Sequence, residues 1–174
     1  VGSSGDGWAY ASPTLTLSGA GPFTIAGTNN MRQVMIAVPQ GVTNTVTLVD
    51  LKLWATGATQ GVFVLGTNVC VTLFLAGTST LDSSYAGIEV PPGASLSITN
   101  APGDETAALV VKGSRGAGIG GRSSSACGTV TISGGAVKAT GGNNSAGIGG
   151  GEGATCDGGT VTISGGTVTA TASG

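Results

Sequence analysis

The chain has 174 residues, of which 40% are apolar, 34 are glycine and only 8% are charged, against about 25% charged in ordinary globular proteins. A net charge of −2 gives no basic stripe, which argues against nucleic acid and acidic lipid as partners. There is no histidine, so the commonest general base and metal ligand is missing, and no apolar run reaches the roughly 18 residues that membrane insertion needs.

The predicted elements are strands from end to end. In chain order, Leu15/Leu17, Val46/Leu48, Val71/Leu73, Leu96/Ile98, Val130/Ile132 and Val161/Ile163 each form an apolar pair with period 2, which reads as six rungs. A second apolar column, Ile36, Val62, Ile88, Ile119 and Ile148, recurs at spacings of 26, 26, 31 and 29. Leu51/Leu53, Leu109/Val111, Val137/Ala139 and Val168/Ala170 supply a third strand per coil.

Near the end the chain repeats itself. "AGIGG" at 117–121 returns at 146–150 and "TVTISGG" at 129–135 returns at 160–166, offsets of 29 and 31. Periods of this length signal stacked repeats, and three short strands per repeat describe a triangular solenoid. The expected fold is all-β, a right-handed parallel β-helix of about five to six coils, the hand following the general preference of parallel crossovers. Residues 1–33 form an N-terminal cap and first rung, and 34–174 form stacked coils ending mid-repeat. Glycine pairs such as 134/135 and 165/166 belong at the corners. A β-sandwich is the alternative, but it does not call for near-identical phrases at one register.

The phrases "GDGWAY", "TLTLSGAGPFTIAG", "AGIEVPPGASLSIT" and the doubled "AGIGG…GTVTISGG" resemble the parallel β-helix repeats of secreted or cell-surface proteins of anaerobic bacteria. Some relatives of that group are carbohydrate-binding modules shaped like pectate lyases. The resemblance implies an extracellular, carbohydrate-binding solenoid. The calcium-binding acidic clusters of the lyase-like relatives have no residue-by-residue match here.

Among candidate sites, alternation places Trp54, Phe63 and Phe74 outward in the second and third coils, as an exposed aromatic patch suited to a sugar face or a neighbouring subunit. Cys127 and Cys156 each follow the first "GIGG" glycine, at 118 and 147, by nine residues. Equivalent corners of adjacent coils lie about 4.8 Å apart, within disulfide range, so the two are expected to be bonded. Cys70 is then left over, with burial as its expected fate.

Outward hydroxyls read Thr14/Thr16, Thr45/Thr47, Cys70/Thr72, Ser95/Ser97, Thr129/Thr131 and Thr160/Thr162, a ladder that suits exposed strands and also resembles some ice-binding arrays. Lys52, Lys112 and Lys138 fall on third strands, a small basic row for an acidic sugar or simple surface solubility. Of the eight carboxylates only Asp104/Glu105 are neighbours, while Glu152 and Asp157 flank Cys156 in a Gly-rich corner without a calcium-loop signature.

The resulting expectation is a non-catalytic adhesion module, extracellular or on the cell surface. No metal site is assigned and no cofactor is expected, calcium being conceivable but unsupported by a motif. The partner is a polysaccharide or surface glycan, with self-association through the open coil end as the structural alternative. A polysaccharide-cleaving enzyme and an ice-binding protein rank below both.

Overall fold

The computed structural model describes residues 3–29, 34–55, 60–154 and 159–173. Among these every regular element is a strand. Threonine is the commonest strand residue, followed by valine, leucine and alanine, and the β-branched side chains among them pack well on a pleated surface. The chain enters through β1 (Ser3–Gly5), β2 (Trp8–Ala11) and β3 (Thr14–Leu17), an antiparallel meander, and continues into β4 (Phe23–Asn29).

Five coils follow. The first holds β5 (Met35–Val38) and the long β6 (Thr43–Ala55), and the second β7 (Phe63–Leu65), β8 (Cys70–Ala76) and β9 (Thr78–Ser83). The third holds β10 (Ile88–Glu89), β11 (Ser95–Asn100) and β12 (Ala108–Lys112). The fourth holds β13 (Ile119–Gly120), β14 (Thr129–Ile132) and β15 (Ala136–Asn143), and the fifth β16 (Ile148–Gly149), β17 (Val161–Ile163) and β18 (Thr167–Ser173).

Equivalent strands of successive coils pair in parallel. One sheet runs β3-β5-β7-β10-β13-β16 with the meander on its outer edge. The other has two arms that share β6. The first arm is β4-β6-β8-β11-β14-β17 and the second is β6-β9-β12-β15-β18, with β4 running along β6 on both sides of the bend. Asp50, at φ 47, bends β6 between the arms. Three faces with parallel ladders make the molecule a parallel β-solenoid of about five turns.

The register makes the core. Val71, Leu96, Val130 and Val161 stand side by side, as do Leu73, Ile98, Ile132 and Ile163. From the second arm come Leu53, Leu81, Val111, Ala139 and Ala170. Most of these side chains are fully buried, and each buried Val, Leu or Ile contributes about 1.5–3 kcal/mol relative to exposure. At the corner after the short strand, Gly120 and Gly149 take φ 138 and 139, which explains the doubled "GIGG" phrase.

Four expectations need correcting. Leu15/Leu17 are not a rung of the first arm, since Leu15 pairs with Ile36 in the other sheet, and the true first rung is Phe23/Ile25 beside Val46/Leu48. Val46 stands beside Leu73, not Val71, which faces Asn44. A shift of two residues preserves the alternation, so pattern alone does not detect it. The second column passes through Phe63 in place of Val62. The second coil's third strand, Ser79/Leu81, carries a polar residue at one inward position and so gave no apolar pair.

Candidate functional site

The outer face of the second arm is built by alternation. Leu51, Leu53 and Ala55 point inward, so Lys52 and Trp54 point outward. In β12, Leu109 and Val111 point in and Lys112 out; in β15, Val137 and Ala139 point in and Lys138 out. The parallel register then sets these outward residues in two columns. One reads Lys52, Thr80, Val110, Lys138, Thr169 and the other Trp54, Asp82, Lys112, Thr140, Thr171.

Neighbours in a column lie about 4.8 Å apart, so Lys52 and Lys138, three rungs apart, have backbones about 14 Å from each other. All three lysines of the chain are therefore on this one face, and all three are exposed. Trp54 is half-buried beside Asp82.

The three-residue aromatic patch does not form. Phe63 is fully buried because β7 pairs Phe63 with Ile36 and Ile88, the inward column. Phe74 is half-buried on the first arm, between Thr47 and Thr99, and the bend at Asp50 separates that arm from Trp54. Around Phe74 lies the hydroxyl ladder in a corrected register, with Thr43/Thr45 beside Cys70/Thr72 and Thr14/Thr16 in the other sheet.

Cys70 is exposed, contrary to the expected burial, since it occupies an outward position of β8. Cys127 is a buried free thiol, and burial pushes its pKa up to about 11. Its expected partner Cys156 lies outside the described residues, as does Asp157.

Three of the described carboxylates serve the backbone of a neighbouring coil. Asp50 Oδ1 accepts the Thr78 N–H at 2.8 Å, and Asp104 Oδ2 accepts the Gly77 N–H at 2.7 Å. The Gly77–Thr78 corner is thus held by the coil on either side. The Gly77 bond, then the Thr106 hydroxyl, holds the Asp104 carboxyl below its ordinary pKa of 3.8. Glu89 accepts the Gly61 N–H at 3.4 Å and pairs with Arg122 at 3.7 Å. Glu105 accepts from Asn100 Nδ2 at 3.4 Å. Among the described residues no three His, Cys, Asp or Glu side chains converge as a metal site.

One feature escaped sequence reasoning. Trp8 and Tyr10 of the meander, with Leu15, Ile25, Ile36 and Leu53, line a cavity of about 440 Å³ at the N-terminal end of the core. The alternation of β2 signals a strand, but only the antiparallel pairing of β2 with β3 brings its aromatics there. Among the described residues its lining holds no charged side chain.

Residues 130–152 and 161–174 match a family model described as a beta helix repeat. Each matched stretch opens on a copy of "VTISGG", and the two cover most of β14–β16 and β17–β18. The chain is a parallel β-helix protein. No curated protein and no solved structure matches it significantly.

Proposed function

We propose that this β-helix is a non-catalytic adhesion module, displayed outside the cell or on its surface, that holds carbohydrate on the outer face of the second arm. One observation carries the reading: the register places the half-buried Trp54 on the same flat face as every lysine of the chain. An indole ring suits the apolar face of a sugar, and its N–H can serve a hydroxyl. Thr80 and Thr140 add hydroxyls within one rung of these groups. The non-catalytic character is supported by the carboxylates, since Asp50, Asp104 and Glu89 each hold a backbone N–H of another coil.

Affinity electrophoresis of the chain through gels containing plant, microbial and host polysaccharides tests the reading, run with calcium and with a chelator. Retardation by one class of glycan supports it and reports on calcium in the same experiment. Free migration through every gel contradicts it.

A structural role is the second reading, favoured by Val161 and Ile163. They are 40% and 54% exposed on β17, although they continue two fully buried apolar columns. Among the described residues β17 is the outermost strand of its arm, and an edge strand with apolar side chains is a template for pairing with another chain. Sedimentation of the wild type and of Val161→Thr/Ile163→Thr across a concentration series tests it. Association in the wild type alone supports the reading, and a monomer at every concentration contradicts it.

A further inference from the structure

The three faces differ sharply in their outward residues. The first arm presents Thr45, Thr72, Ser97, Thr131 and Thr162 in one column, with no charge. The short-strand sheet presents Ala37, Val64 and Glu89. Lysine occurs only on the second arm, where Asp82 is the one carboxylate within the two lysine-bearing columns. That face carries a charge of about +2 on a chain whose net charge is −2.

These three are not held by the protein itself: among the described residues none of their ammonium groups makes an ion pair or a hydrogen bond. Lys112 is the register neighbour of Asp82, yet no ion pair closes between them. Three exposed ammonium groups thus stand along a flat face about 14 Å long, available to a ligand with matching charge.

Resting on the adhesion reading above, we infer that the second arm binds a linear anionic polysaccharide, with Lys52, Lys112 and Lys138 pairing with its acid groups. The ligand lies along the stacking direction, crossing one strand per rung, so that Lys52 and Lys138 meet acid groups at either end and Lys112 meets one between. Nucleic acid fits less well. Three cations neutralise few phosphates, below the roughly 6–10 contacts that make nucleic-acid binding steeply salt-dependent, and a single aromatic ring offers no stacking series.

The test is affinity electrophoresis in gels holding polygalacturonate, a neutral β-glucan or single-stranded DNA, over about 50 to 500 mM salt. Four proteins are compared: wild type, Trp54→Ala, Lys52→Gln/Lys112→Gln/Lys138→Gln, and the same three positions changed to Arg. Polygalacturonate is expected to retard the wild type, with an effect that fades as salt rises. The triple Gln variant is expected to bind about tenfold more weakly or less, and the triple Arg variant to keep binding. All three positions are exposed, and circular dichroism confirms that the variants remain folded.

Equal retardation by the neutral glucan, unchanged in the triple Gln variant but lost in Trp54→Ala, overturns the anionic inference and leaves the adhesion reading standing. Preferential retardation by DNA also overturns the inference. Free migration in all three gels overturns the inference together with the reading beneath it.

Discussion

Asn44 stands beside Val71 in the parallel register, with its carboxamide turned into the core at 3% exposure. Neither Nδ2 nor Oδ1 has a hydrogen-bond partner among the described residues. Along this row the later coils carry Leu96, Val130 and Val161. A buried polar group without a partner costs about 1–3 kcal/mol. Asn44→Val is therefore expected to stabilise the fold by about 1–2 kcal/mol, read as a rise of a few degrees in thermal midpoint. A fall in midpoint would show that the carboxamide is satisfied within the core.

Phe63 distinguishes an inward ring from a surface ring by stability alone. Its side chain is fully buried between Ile36 and Ile88, so Phe63→Ala should cost about 3–5 kcal/mol. Denaturant titration measures this directly. A change within about 0.5 kcal/mol, the usual size for surface substitutions, would return the ring to the surface.

Asp104 makes the corner sensitive to acid. Its carboxyl is held below the ordinary value of 3.8 chiefly by the Gly77 N–H, so its charged form is favoured by folding. The resulting stability is fully present above the unfolded value near 3.8 and is lost as pH falls through the lower folded value. Urea titrations between about pH 2 and 6 should show the wild type losing stability at the acid end. Asp104→Asn should be less stable than wild type near pH 6 and converge with it in acid. Parallel curves would contradict the assignment.

The two described thiols should separate kinetically. Cys70 is exposed, whereas Cys127 is 3% exposed with its pKa raised to about 11, so little thiolate is present at neutral pH. Alkylation of the unreduced native protein, followed by peptide mapping, should find the label on Cys70 and not on Cys127 until denaturant is added. Rapid native labelling of Cys127 would contradict its burial. A cross-linked peptide joining it to Cys156 would contradict the free thiol.

What could be read from the sequence, and what could not, follows from the period of the strand. Alternation needs only two side chains per rung to reveal itself, and Leu96/Ile98, Val130/Ile132 and Val161/Ile163 fall in register as their pattern requires. Alternation has no memory of which sheet a strand joins. Leu15/Leu17 therefore looked like a rung of the wrong face, while the rung itself, Phe23/Ile25, lay in a Gly- and Pro-rich stretch.

Phase is the other weakness. In the apolar run Val62–Leu65 every residue suits the interior, so alternation fits two opposite phases, and only the pairing of Phe63 with Ile36 and Ile88 assigns Phe63 to the inward column. The lysines were legible as members of third strands. Their concentration on one face beside Trp54 became visible only when β9, with Ser79 at an inward position, supplied the rung between Trp54 and Lys112.

The central claim is that ligand is held by the outer face of the second arm, and it is tested most directly by comparing Trp54→Ala with Phe74→Ala in polygalacturonate and β-glucan gels. Both side chains are half-buried, and they lie on different arms. The account predicts that Trp54→Ala loses most of the retardation and that Phe74→Ala migrates like the wild type. Loss in Phe74→Ala with retention in Trp54→Ala would contradict it and move the binding surface to the hydroxyl-bearing first arm.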